Sequence, residues 1–462
     1  MSSPQETVER TLELSKADGC VVRVTEQTEA NLRWANSTVT TNGEMRSRRL
    51  AVISFVNGAA GMAAGVIERS STSLDDLADI VGASEQAARD AGPADDEAPL
   101  IEPGDQDAGR WDHEPAATSI EVFGSFAPAL GEALARSRAA DRLLFGFAEH
   151  IVTSTFLGSS TGLRLRHDQP TGRVELNAKT PGFASSSWAG MNTRDFLDVD
   201  VERLDAEVNR RLDWGRRRID LDAGRYQTIM SPAAVADLLV YQYYSTSARD
   251  TDEGRTVFSR PGGGSRIGER LTELPLTLRS DPAEPGLEAA PFVHVTTAWQ
   301  GISVFDNGLP TGPTNWITEG VLTDLPRTRN WAARTGARPA PYVDNLVLEA
   351  PGADAGQDEL VAGTDRGLLL TCLHYVREVD PQTLLLTGLT RDGVYLVENG
   401  EVVGEVNNFR FNESPVSLIR RATQVGRTER CLPREFSDYF SRTAAPWLRI
   451  PDFNMSTVSQ AS

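Results

Sequence analysis

The sequence predicts an α+β protein: an N-terminal domain of helices on a sheet over 1–220, then a mostly antiparallel β domain over 221–462. The second domain is expected to be barrel- or sandwich-like, with one long helix laid against it. Three observations carry this. Amphipathic helical stretches alternate with apolar runs of strand length in the first part. One apolar helical stretch, Pro232–Ser245, precedes many short β-type runs broken by Gly, Pro, Asn and Asp in the second. The length, 462 residues, suits two or three domains with an ample core.

Residues 5–17 open as a helix, with Val8, Leu12 and Leu14 among charged neighbours. Strands follow at Cys20–Val24, Ala30–Trp34 and Leu50–Phe55; Gly58, Gly61 and Gly65 punctuate the next turn and strand. Ser73 caps a helix over 73–92, with Asp76 in the capping-box position. The acidic, proline-rich run Asp95–Asp107 reads as a surface loop, and an alanine- and leucine-rich helix covers 127–141. Leu163–His167 and Arg173–Lys179 alternate apolar and polar residues around Asp168–Gly172, which predicts a hairpin. A polar helix at 194–214 completes the domain.

In the second domain, Phe292–Thr297, Gly367–Cys372, Gly393–Glu398 and Glu401–Val406 read as strands. Asn399-Gly400 between the last two is a strong signal for a two-residue hairpin turn. No internal repeat stands out.

Composition narrows the function. Hydrophobic residues make up 40% and charged residues 24%, an ordinary globular profile, and no apolar run reaches membrane-spanning length. The opening residues lack a basic stretch followed by an apolar core, so no secretory signal is expected. Three separated cysteines, Cys20, Cys372 and Cys431, argue for a reducing compartment. A net charge of -19 repels phosphate backbones and anionic lipid, so neither nucleic acid nor membrane is an expected partner. Arg210, Arg211 and Arg216–Arg218 share their helical stretch with Glu202, Asp205, Glu207 and Asp213, which reads as a solvated face.

The chemical motifs fail one by one. A compact zinc-peptidase motif needs two histidines a helical turn apart, but His113, His150, His167, His294 and His374 are scattered. Gly158–Gly162 fits the Gly-x-Ser-x-Gly elbow around Ser160, yet strand-type sequence follows where that motif needs a helix. Gly263–Gly268 has P-loop glycine spacing, but Glu269 and Arg270 replace the Lys-Ser/Thr pair. Cys372 and His374 fall on one face of an expected strand, which is two ligands and no metal site. From the residues alone, the chain is a two-domain protein without a catalytic constellation.

Several segments, in order, resemble the TldD/PmbA family. They are Ala30–Asn36, Leu50–Gly65, the helix Ser231–Ser245 with the following Ser247–Ser259, Asn307–Thr311, Asn345–Glu349, Gly363–Leu370 and the Gly388–Gly404 hairpin. The resemblance covers nearly the whole chain; each motif is weak alone, and order and spacing make the match specific. It implies a heterodimer. One subunit, TldD, carries a His-Glu-x-x-x-His helix with a C-terminal cysteine completing its zinc site. The other, TldE or PmbA, lacks that motif and helps enclose a peptide chamber.

Placed on this chain, the resemblance puts Val240 and Ser245 at the histidine positions and Tyr241 at the glutamate position. Valine cannot bind zinc, and a phenol titrating near ~10 is a poor base at neutral pH. Cys431 falls near the third-ligand position. The expectation is therefore a cytoplasmic, PmbA/TldE-like subunit that binds no cofactor itself, zinc residing in a TldD-like partner. Tyr241, Tyr244, Asp452, Asn454 and Ser456 are the expected chamber or subunit contacts. Two alternatives stay open: a self-sufficient hydrolase using Ser160 or scattered metal ligands, and a non-proteolytic binding or scaffold protein.

Overall fold

The computed structural model describes residues 2–104, 108–299 and 301–459. It is an α+β fold built on two separate sheets. The first part runs α1 (Pro4–Leu14), β1 (Gly19–Ala35), β2 (Thr38–Gly58), β3 (Gly61–Ser70), α2 (Leu77–Ala91) and α3 (Phe126–Ala139). It continues through β4 (Leu143–Ser159), β5 (Arg164–Lys179), β6 (Ser186–Thr193) and α4 (Val201–Trp214). The six strands form one sheet in the order β3-β2-β1-β4-β5-β6, every pairing antiparallel.

Strand length is where this sheet departs from expectation. Cys20–Val24 and Ala30–Trp34 are two ends of one 17-residue strand, which turns through Asn36 and Ser37, at φ 50° and 57°, into a 21-residue β2. The expected hairpin at Asp168–Gly172 does not form. Those residues continue β5 and pair with Val152, Thr153 and their neighbours on β4. The proline is tolerated because β6 joins β5 only from Gly172 onward, leaving Pro170 on an open edge.

Alternation along β1 sorts its partners. Val22 and Val24 pack with Val8 of α1 and with Leu77, Ile80 and Val81 of α2, while Leu32 and Trp34 pack with Phe126 and Leu130 of α3. These residues share one parity and so one face. The opposite parity places Val21 against Phe292, Val304 and Phe305 of the second domain.

Capping at Ser73 holds: its N–H and hydroxyl both donate to Asp76 at 2.8 Å, ahead of a 3-10 turn at Leu74–Asp76 that leads into α2. The polar helix begins at Val201 rather than 194. Residues 95–104 carry no helix or strand, and 105–107 of the expected loop lie outside the described residues.

The second part comprises β7 (Arg218–Ile219), β8 (Gly224–Met230), α5 (Pro232–Tyr244), α6 (Ala248–Asp252), β9 (Thr277–Ser280), β10 (Thr314–Thr318), β11 (Val321–Leu322), α7 (Arg329–Thr335), β12 (Leu346–Glu349) and α8 (Gln357–Ala362). It ends with β13 (Arg366–Leu370), β14 (His374–Asp380), β15 (Leu385–Leu389), β16 (Val394–Glu398), β17 (Glu401–Val406), β18 (Phe409–Glu413), α9 (Pro415–Arg421), β19 (Gln424–Cys431) and β20 (Thr443–Val458). These 14 strands make one sheet, antiparallel except where β12 meets β20, β13 meets β8 and β17 meets β7. The β16–β17 hairpin turns through Asn399 and Gly400 at φ 51° and 80°, as its sequence demands.

Two expected strands do not form as read. Phe292–Thr297 joins neither sheet and makes one isolated bridge, Phe292 to Pro310. Phe292 instead packs with Phe55, Val304 and Phe305, and Val293 pairs its main chain with Gly308 and Leu309. Cys372 and His374 do not share a strand, because β13 stops at Leu370 and His374 opens β14.

β20 binds β8, β12, β18 and β19, and α5 lies against it. Helix α5 is apolar nearly all round, with Ala234 through Val240 buried, which marks a helix inside a core.

Candidate functional site

Ser231 caps α5 by accepting from the N–H of Ala234 at 3.2 Å, and Pro232 occupies the first turn where its missing N–H costs nothing. The helix ends at Tyr244, and the N–H of Ser245 donates back to Tyr241 and Gln242. Val240 is buried at 1% exposure in the large core. The Tyr241 hydroxyl accepts from the N–H of Glu378 at 3.1 Å, and its ring meets Phe436 at 5.9 Å. Tyr244 stacks on Tyr342 at 5.5 Å and approaches Trp299 at 6.2 Å.

Asp452, Asn454 and Ser456 lie elsewhere, along β20. Asp452 pairs with Arg421, the Asn454 N–H donates to Glu413 at 2.8 Å, and the Ser456 hydroxyl donates to the Arg410 carbonyl at 3.0 Å. Asp452 and Asn454 border a cleft of about 730 Å³ with Arg225, Arg266, Arg420 and Arg421, in which neither tyrosine takes part. The residues grouped from the sequence thus fall into two places.

Cys431 sits at the other end of α5 from Ser245: its thiol donates to the Pro232 carbonyl at 3.5 Å, and burial pushes it up to about 12. The Ser245 position therefore stands about a helix length from the cysteine, while Val240 shares its core cluster. A second pair on α5 has the motif's five-residue spacing, Asp237 and Gln242, buried to 0% and 3% exposure. Asp237 interacts electrostatically with Cys431, and Asp237 Oδ1 accepts from the Glu435 N–H at 2.9 Å. Asp237 Oδ2 and Gln242 Oε1 are buried without a hydrogen bond. The signal was present in the sequence, as two polar side chains in an otherwise apolar helix.

These residues do not fit zinc. An amide oxygen is a weak ligand, burial holds the Asp237 carboxyl well above its usual range, and no imidazole joins them. Among the described residues, no three of His, Cys, Asp and Glu are grouped to hold a metal ion.

The Ser160 elbow is structural as well. Ser160 Oγ accepts from the Cys20 N–H at 3.0 Å and its own N–H donates to the Cys20 carbonyl at 2.8 Å, tying the β4–β5 turn to β1. Cys372 and His374, though off a common strand, converge on one acid. Arg434 donates to the Cys372 thiol at 3.1 Å and to Asp392 at 2.6 Å, and His374 Nε2 stands 3.6 Å from the same carboxylate. Burial opposes ionisation of Asp392, but His374, Arg434 and Ser186 hold it far below the usual carboxylate range.

A long-stranded antiparallel sheet is followed by a mixed sheet that packs on one buried helix, an α+β architecture. The C-terminal part, 223–457, matches the PmbA/TldA metallopeptidase C-terminal domain, and 20–90 matches PmbA/TldA metallopeptidase domain 1. The chain belongs to the PmbA/TldD metallopeptidase family. Among solved structures it is similar to TldE from Thermococcus kodakarensis, with 15% identity, TM-score 0.78, and coverage of 97% of this chain and 98% of that one. It is also similar to a Thermotoga maritima protein described as a candidate modulator of a DNA gyrase, with 17% identity, TM-score 0.74 and coverage of 97% and 99%. A Bacteroides thetaiotaomicron protein of like description gives 15% identity, TM-score 0.73 and coverage of 98% of each chain. At these identities the likeness is one of fold. No curated protein matches the chain.

Proposed function

We propose that this chain is the non-catalytic, TldE-like subunit of a cytoplasmic two-subunit peptidase whose zinc is held by a TldD-like partner. One observation carries the reading: in either register of the five-residue motif spacing, Asp237 with Gln242 or Val240 with Ser245, α5 offers no histidine. Its contribution is then to shape and close the partner's chamber and to hold the peptide. Among the described residues, no helix is long and apolar enough to cross a membrane.

The test is zinc content and peptide cleavage of the chain alone and co-expressed with a His-Glu-x-x-x-His homologue. Neither property alone and both in a one-to-one complex is the expected result. Stoichiometric zinc with cleavage by the isolated chain overturns the reading.

A further inference from the structure

A cavity of about 350 Å³ lies where β1 meets the second domain, lined by Arg23, Phe292–Thr297, Gly301–Ser303, Tyr244 and Pro341–Asp344. Its size is at the lower end for small-ligand sites, enough for one or two residues of a peptide. The walls are largely apolar, and Trp299 stands at half exposure beside Tyr244.

Two nitrogens on lining residues are buried without a hydrogen bond, Arg23 Nε and His294 Nδ1. Leaving such groups unpaired costs about 1–3 kcal/mol each; Arg23 Nε lacks an acceptor, and so does His294 Nδ1 in the tautomer that carries its proton there. Among the described residues none is supplied. Glu68 takes Arg23 Nη2 at 3.3 Å, Asp306 takes Arg329 at 2.9 Å, and Asp344 takes Arg442. Burial, then Arg23 and His167, hold the His294 imidazole down at about 3, so it is neutral at pH 7 and the Arg23 guanidinium is the positive charge on the cavity wall. The neutral imidazole still offers an N–H to a carboxylate. Beside these groups, Phe292–Thr297 is left out of both sheets, but Val293 exchanges main-chain hydrogen bonds with Gly308 and Leu309 and Val295 pairs with the Asn307 amide, so side chains are what this wall offers a ligand.

We propose that this cavity binds the free C-terminal carboxylate of an apolar peptide, with Arg23 and His294 as its donors. The proposal rests on the peptide-handling reading above and names the part of the peptide this chain holds.

The test titrates the intact chain with N-acetyl-Leu-Phe as the free acid, the same dipeptide as its C-terminal amide, and sodium acetate, following Trp fluorescence and heat. The acid is expected to bind about tenfold or more tighter than the amide, with acetate weaker than both. Arg23→Lys and His294→Phe should each collapse the acid-to-amide ratio toward one while apolar binding persists. Bound acid should also raise the pKa of the His294 imidazole, followed by NMR; this readout survives if Arg23→Lys fails to fold. Equal affinity for acid and amide, or an unchanged ratio in the folded variants, overturns the proposal. Acetate binding as tightly as the dipeptide overturns the peptide and leaves a plain anion site. Zinc-dependent cleavage with the partner but no acid preference sinks this proposal alone, while acid preference without a functional partner sinks the subunit reading alone.

Discussion

The side-chain amide of Asn192, on the last strand of the first sheet, donates to the main-chain carbonyl of Cys431 at 2.7 Å. The same nitrogen lies 2.8 Å from the Ser441 carbonyl and 3.1 Å from that of Thr443. One buried amide therefore ties β6 to both β19 and the start of β20.

Replacing Asn192 by Ala leaves those carbonyls with a cavity in place of a donor. Asn192→Ala is expected to lower stability by about 1–3 kcal/mol, read by urea denaturation. Unfolding should then separate into two steps, followed by fluorescence and circular dichroism together.

Asp237 makes stability fall as pH rises. Burial raises its folded value above the unfolded one near ~4, so the folded chain keeps a proton that the unfolded chain releases. Asp237→Asn should therefore stabilise the protein at pH 7.5 by about 1 kcal/mol or more, with the gap closing toward pH 4. Denaturation at both pH values checks this, and a gap that grows in acid would refute it.

Asp392 carries the opposite sign. Its folded value is depressed, so its contribution is present above the unfolded value near ~4 and is lost as pH falls below that. Asp392→Asn leaves Arg434 without its buried partner and should cost about 3 kcal/mol at neutral pH, less in acid. Thermal unfolding across pH 3–8 separates the two aspartates.

Gly65 lies under α2, where an added Cβ would meet the backbone N of Ala88 at 2.2 Å and the Ser84 carbonyl oxygen at 2.3 Å. The Ser84 hydroxyl, which also reaches Val52 and Ser54, closes this contact on the Gly65 carbonyl at 2.9 Å. Gly65→Ala must push the helix off the sheet, at a cost of about 1–3 kcal/mol. Faster amide exchange in α2 is the expected signature.

Ser160→Ala removes the acceptor for the Cys20 N–H and should cost about 1 kcal/mol of stability. Peptide cleavage by the complex should be unaltered. Its loss, with zinc retained, would restore Ser160 as a nucleophile.

Where local chemistry decides, the fold was legible. Asn399-Gly400 requires a tight turn, Ser73 and Asp76 require a cap, and an apolar run after Ser231-Pro232 requires a core helix. Where distant partners decide, it was not. Nothing near Asp168–Gly172 shows that β4 runs alongside and draws it straight, and nothing in Phe292–Thr297 shows that no strand waits beside it. The candidate site depends on the fold in the same way. A resemblance points to α5 without fixing its register, and only the fold brings Asp237, three residues before Val240, into electrostatic interaction with Cys431.

Synthesis meets this architecture in an awkward order. β8 and α5 emerge from the ribosome early, yet β8 pairs with β20 through Met230 and Leu448, more than two hundred residues later. Until that segment arrives, a helix apolar on nearly every side has no sheet to cover it, although the first sheet, complete by Thr193, is free to fold. The nascent chain is thus a finished domain trailing an unsheltered one. A chaperone that holds the second half, or slow translation after α5, should decide the yield of soluble protein more than any single side chain.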